Sequence, residues 1–176
     1  RADSKGSNTL TDNATVTYAP GRLSNAGQFT AANSEYLSIT DNADLSTGDI
    51  DFTVGGWVYM DSAAAYAAIS KYKPGTNQRE YIINFDATNK LRFFVSSNGT
   101  DYTILNSTTS ISTGTWVFVV AWHDATANTI NIQVNNGTVD SSAYSSGVYD
   151  GTAAFQIGVY DGASGADFWN GKIDEV

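Results

Sequence analysis

The sequence contains no cysteine. That excludes a disulfide framework, a thiol nucleophile and thiolate-bound metal. Histidine occurs once, as His123, so a three-ligand zinc site has little to draw on. Proline is limited to Pro20 and Pro74, which fits sheets with few interruptions. No run of about 20 apolar residues is present, so no membrane insertion is expected. Basic residues are few, with 9 Lys and Arg against 18 Asp and Glu and a net charge of −9. A phosphate-binding protein carries the opposite excess, which sets aside nucleic acid and anionic membrane surfaces. The acidic balance stays compatible with bound cations, with neutral sugars, or simply with solubility.

What is present is a chain of 176 residues rich in Thr, Val, Ile, Tyr, Asn and Gly. A domain of this size buries about 70% of its unfolded surface and holds a core without staples. Residues 1–176 therefore form one expected domain. The opening "RADSKGSN" has neither Met nor a signal peptide, and the expectation is a piece excised from, or truncated relative to, a longer protein.

Alternating apolar and polar residues predict strands over 35–40, 52–60, 81–86, 90–97, 116–123, 129–135, 154–160 and 169–176. Turn chemistry separates them, as in "DATNK", "SNGTD", "DATANT" and "NNG". Strand-plus-turn spacings of about 8–12 residues point to an antiparallel sandwich or barrel. The alanines of "DSAAAYAAISKY" (61–72) favour a helix, although a loop between strands fits equally. The first 20 residues read either as a disordered arm or as an edge strand carried by "TVTYA" and pairing late with the C-terminus.

His123 stands directly before Asp124 in "AWHDATANT". Adjacent strand side chains point to opposite faces, so the pair is read as strand end and turn rather than as a catalytic dyad.

Several stretches carry a family resemblance: "GRLSNAGQFTAANSEYLSI", "LSTGDIDFTVGGWVYMD", "TGTWVFVVAWHD", "INIQVNNGTVDS" and the closing "FWNGKIDEV". In this order the chain resembles the LamG-like jelly-roll domains of the concanavalin A-like lectin/glucanase superfamily. The resemblance implies an all-β fold, two antiparallel sheets packed face to face as a jelly-roll sandwich. Apolar faces are expected from Phe52, Val54 and Val58, and from Ile130, Ile132 and Val134. Trp57 and Trp116 are expected in the core, where their area is most useful.

Because the superfamily includes glycoside hydrolases, carboxylate placement is the direct test. Hydrolysis needs two carboxylates about 5–5.5 Å apart, or wider for inversion. Glu35, Glu80 and Glu175 lie on three different segments, and Asp49 and Asp51 read as turn residues before a strand. No Gly-x-Ser-x-Gly elbow, His-Glu-x-x-His motif or phosphate loop occurs. The expectation is no catalysis.

The resemblance also implies a structural calcium on the closing strand, held by Asp174, with Asp3 and Asn33 placed beside it by analogy. Calcium suits a site of carboxylate, amide and carbonyl oxygens. Asp41, Asn42 and Asp44 form a second candidate loop, for which turn chemistry is the favoured reading over a metal site. For a glycan ligand, stacking rings and polar side chains are needed. The candidates are Tyr72 and Arg79 around "KYKPGTNQREY", and Tyr160, Phe168 and Trp169 around "VYDGASGADFW". The expected function is a recognition module that binds a glycan or cell-surface polysaccharide, joined to other domains of an exported, cell-surface or virion protein. The alternative is an assembly module that binds protein without a small ligand.

Overall fold

In the computed structural model, residues 6–63, 66–160 and 168–176 are described. Among the described residues, fourteen strands fall into two antiparallel sheets of seven. The first sheet runs in the order β1 (Thr11–Asn13), β4 (Tyr36–Ile39), β13 (Phe155–Ile157), β6 (Ala67–Lys73), β7 (Gln78–Phe85), β8 (Lys90–Val95), β9 (Thr103–Ser110). The second runs β12 (Asp140–Ala143), β11 (Thr129–Val134), β10 (Trp116–Asp124), β5 (Phe52–Met60), β14 (Gly171–Asp174), β3 (Asn25–Phe29), β2 (Thr17–Pro20). Among the described residues there is no α-helix, only 3-10 turns at Ala31–Asn33, Ala43–Leu45 and Pro74–Thr76. This is the jelly-roll sandwich that the motif order implies.

The apolar faces meet as the period-2 pattern requires. Val58 and Met60 on β5, Val119 and Ala121 on β10, and Ile130 and Ile132 on β11 are fully buried. Phe52, Val54 and Val134 pack against that core while remaining partly exposed. Opposite them, the first sheet contributes Ile69, Ile83, Phe85, Leu91, Phe93 and Val95.

The tryptophans reverse the sequence expectation. Trp57 and Trp116 are only half-buried and lie on the outer face of the second sheet. The alternation explains it, because Val58 and Met60 occupy the inward positions of β5, and Val117 and Val119 those of β10. Trp169, expected as a ligand residue, is the fully buried tryptophan. Its ring packs against Phe85 at 5.7 Å and Tyr66 at 5.9 Å between centroids.

Residues 64 and 65 of segment 61–72 lie outside the described residues, and residues 67–72 belong to β6 rather than to a helix. Its Ala67, Ala68 and Ile69 are all buried, so both faces of the strand are covered and no alternation marks it. The "TVTYA" stretch supplies an edge strand, but not one paired with the C-terminus as the edge-strand reading expected. Its partner is β3, which in turn pairs with β14 near the C-terminus. Consecutive strands β1 and β2 edge opposite sheets, so the chain crosses between layers at Ala14 and Thr15, both at positive φ.

One irregularity positions the site. Lys71 pairs with Tyr81, but the next residue, Tyr72, pairs with Arg79. Glu80 is therefore the extra residue of a β-bulge. Tyr81 points into the core, and the bulge turns Arg79, two residues earlier, toward the outer face beside Tyr72.

Candidate functional site

On the outer face of the first sheet, alternate residues of β6, β7 and β8 line a hollow of roughly 320 Å³. Tyr72, Arg79, Ile82, Asn84, Arg92 and Phe94 form its floor and walls, and Pro74, Tyr102 and Tyr160 rim it. Three of the four residues expected to touch a ligand, Tyr72, Arg79 and Tyr160, are thus brought together. Trp169 is not among them, since burial in the core takes it away from any surface. Phe168 lies elsewhere, 6.2 Å from the ring of Tyr36.

The hollow has an aromatic frame. Tyr72 meets Tyr160 edge-on at 5.9 Å and Phe94 at 6.3 Å, and Phe94 meets Tyr102 at 5.4 Å. Such edge-to-face contacts hold rings in place while leaving other ring faces open. The Arg79 guanidinium lies 5.8 Å from the Tyr72 ring and that of Arg92 5.3 Å from Phe94, within cation–π range. Burial pushes the Tyr72 hydroxyl above its ordinary value, with Arg79 opposing the shift. Arg79 Nη1 donates to Gly99 O at 3.3 Å, which ties the arginine to the 96–101 turn. Arg92 Nε donates to Asn84 Oδ1 at 3.1 Å. The sequence pattern missed Arg92 and Asn84; their signal was the outward parity of "KLRFFV" and "YIINF", once the inward positions are assigned.

Behind the hollow lies a buried charge cluster. Lys71 Nζ sits 2.6 Å from Asp41 Oδ1 and 3.1 Å from Glu80 Oε2, and it donates to Leu45 O at 3.2 Å. Thr47 Oγ1 donates to Glu80 Oε2 at 3.1 Å. Glu80 Oε1 is buried without a hydrogen-bond partner. Burial pushes the Glu80 carboxyl up to about 7, with Lys71 opposing. These groups pin the loop after β4 onto the sheet. Asp41 is thereby an ion-pair partner. Asn42 caps the 3-10 turn through Asp44 N at 3.0 Å, so the 41–44 loop is built by turn chemistry.

The two described calcium candidates, Asp174 and Asn33, have different hydrogen-bond partners. Asp174 is buried, and its Oδ2 accepts from Arg22 N at 2.7 Å. Asn33 Nδ2 donates instead to Glu35 Oε1 at 2.9 Å, while Glu35 Oε2 accepts from Thr30 N at 2.7 Å. Asp3 lies outside the described residues. Among the described residues no three His, Asp or Glu side chains gather as metal ligands.

Other carboxylates have structural duties as well. Asp51 Oδ1 accepts from Ala125 N at 2.7 Å, and Asp124 Oδ1 from Ala127 N at 2.6 Å. His123 is buried, its Nδ1 2.8 Å from Ile50 O, as befits a strand residue facing away from Asp124.

A second aromatic array covers the outer face of the other sheet, where Trp57 meets Phe118 at 5.4 Å and Tyr59 meets Trp116 at 5.6 Å. The chain's own cations cap it. Arg22 lies 4.5 Å over Trp57, and Lys172 Nζ lies 3.5 Å over Tyr59. Ring faces already covered in this way make a poorer stacking platform than the hollow of the first sheet.

Comparison with known proteins agrees with this architecture. Among solved structures, the binding domain of Paraclostridial Mosquitocidal Protein 1 superposes with a TM-score of 0.75 at 13% identity, covering 97% of this chain and 45% of that one. The chain thus spans less than half the length of that protein. Domain 4 of AbnA, a GH43 extracellular arabinanase from Geobacillus stearothermophilus solved with arabinotriose, superposes with a TM-score of 0.69 at 17% identity over 94% of this chain and 78% of that one. The binding domain of Botulinum Neurotoxin DC, in complex with SialylT, gives 0.62 at 14% identity over 85% and 38%. At such identities these similarities establish the fold. No curated protein sequence matches the chain. No helix among the described residues is long and apolar enough to cross a membrane. The family model Laminin_G_3, of the concanavalin A-like lectin/glucanases superfamily, matches residues 31–176, and the chain belongs to that family.

Proposed function

We propose that the protein is a non-catalytic glycan-binding module, and that the hollow on the first sheet is its binding site. The observation that carries this reading is the convergence of Tyr72, Tyr160 and Phe94 with Arg79, Arg92 and Asn84 in one recess. Apolar ring faces stack on sugar C–H surfaces, and a few placed donors fix the hydroxyls. The similarity to a toxin binding domain and to an arabinanase domain solved with arabinotriose supports the same reading. Non-catalysis is supported by the carboxylates: no Asp or Glu is among the described residues lining the hollow.

A glycan array probed with the wild type, Tyr72→Ala and Arg79→Ala tests the site. Binding by the wild type and its loss in both variants, with melting temperatures unchanged, is the expected result. Wild-type binding that survives both changes would move the site elsewhere, and a silent array would reject the module as a glycan binder.

An exported, cell-surface or virion parent fits this function. A structural calcium at Asp174 belongs to the same proposal. Asp174 Oδ2 is committed to Arg22 N, which leaves Oδ1 as the oxygen for a cation.

A further inference from the structure

The polar atoms of the hollow are biased toward donors. Arg92 spends Nε on Asn84 Oδ1, and its Nη1 and Nη2 keep no hydrogen-bond partner among the described residues. Because arginine can only donate, that bond also fixes the Asn84 amide with its carbonyl toward Arg92, leaving Nδ2 as a further donor. Arg79 brings a second guanidinium to the same recess. Two of the four arginines in the sequence therefore line one hollow in which no carboxylate stands among the described residues. Asp86 lies within electrostatic reach of Arg92 but outside the hollow, and its Oδ1 accepts from Thr88 N at 2.8 Å, Thr88 Oγ1 at 2.7 Å and Lys90 N at 3.0 Å.

A site for neutral hydroxyls needs acceptors as well as donors, because each hydroxyl does both. A site of guanidinium and amide donors matches a planar carboxylate, which only accepts and which a guanidinium fork engages through two parallel bonds. We propose that the hollow selects glycans bearing an isolated carboxylate, a uronic- or sialic-acid type of sugar, with Arg92 and Asn84 reading the carboxylate and Arg79 beside them. The proposal rests on the glycan reading above. The whole-chain charge of −9 adds a restriction. Dense polyanions meet net repulsion, whereas a single acidic group docks within the screening length of about 8 Å at physiological salt.

The test uses acidic oligosaccharides on an array, each beside its carboxyl-methyl ester, with unmodified neutral glycans and a heparin fragment on the same slide. Calorimetry then follows a trisaccharide ending in one uronic acid and its methyl ester, with wild type, Arg92→Gln and Arg92→Lys. The expected result is preference for the acid over the ester by about tenfold or more, as a charge-assisted bidentate contact gives. That preference vanishes in Arg92→Gln and returns only partly in Arg92→Lys. Equal binding of acid and ester, or a preference for neutral glycans or heparin, overturns the carboxylate proposal and leaves the glycan module standing. Absence of binding to every glycan removes both.

Discussion

Lys71 and Glu80, both with fully buried side chains, form an ion pair at 3.1 Å inside the end of the sandwich. Asp41 holds the same ammonium at 2.6 Å from a less buried position. Two carboxylates thus share one cation, and burial of Glu80 leaves it close to protonation at neutral pH.

The sign of its pH dependence follows. Glu80 has a folded value raised to about 7, so the folded state binds its proton more tightly than the unfolded chain. Its contribution is fully present below the unfolded value and is lost as pH rises through the folded one. Between about pH 4.5 and pH 8 this group makes stability fall with rising pH. Glu80→Gln is expected to flatten that part of the profile in urea melts taken across the range. An unchanged slope would show that Glu80 titrates normally.

Lys71→Ala leaves Glu80 buried without its cation. The expected loss is about 3–5 kcal/mol, the range for breaking a buried pair from one side. Adding Glu80→Gln in the same chain should restore a substantial part. Denaturant midpoints of the single and double variants measure this coupling; strict additivity would mean that the two residues do not interact.

Trp169→Ala empties a fully buried site beside Phe85 and Tyr66. It is expected to cost about 3–5 kcal/mol. Trp57→Ala, on the half-buried outer face under Arg22, should cost clearly less. Chemical denaturation of the two variants decides the order, and the reverse order would contradict the packing.

Gly171 adopts φ +140, and a Cβ there would strike the Tyr59 carbonyl oxygen. The glycine lets β14 lie against β5. Gly171→Ala is expected to destabilise by more than about 1 kcal/mol, since both the conformation and the space are wrong for a side chain. A melting temperature equal to wild type would refute the close approach.

Calcium, if held at Asp174, should raise the melting temperature, and chelation should lower it again. Asp174→Ala should abolish the calcium-dependent increment. Identical melts with calcium and with chelator would remove the metal from the proposal.

Strands with strict alternation were legible down to their ends, as in 52–60, where β5 occupies the expected residues. The same parity puts Trp57 out of phase with Val54 and Val58, so strand alternation, and not the apolar area of the ring, decides its face. β9 went unnoticed because only Leu105 and Ser107 of Thr103–Ser110 are buried. A strand of Thr, Ser and Asn looks like a loop when its partner is unknown. Tyr72 and Arg79 were legible as candidates around one turn and Tyr160 around another, but that the two groups would meet was not. Arg92 and Asn84 were not, since nothing in a single strand says that its outward face will meet a neighbour's.

The bulge at Glu80 makes the ligand face depend on the length of one strand rather than on its composition. One residue added to β6 opposite Glu80 would restore regular pairing and preserve both Tyr72 and Arg79, yet would return the arginine to the facing of Tyr81 and blunt the recess. Among relatives, then, insertions and deletions at this point should sort binders from non-binders more sharply than substitutions do.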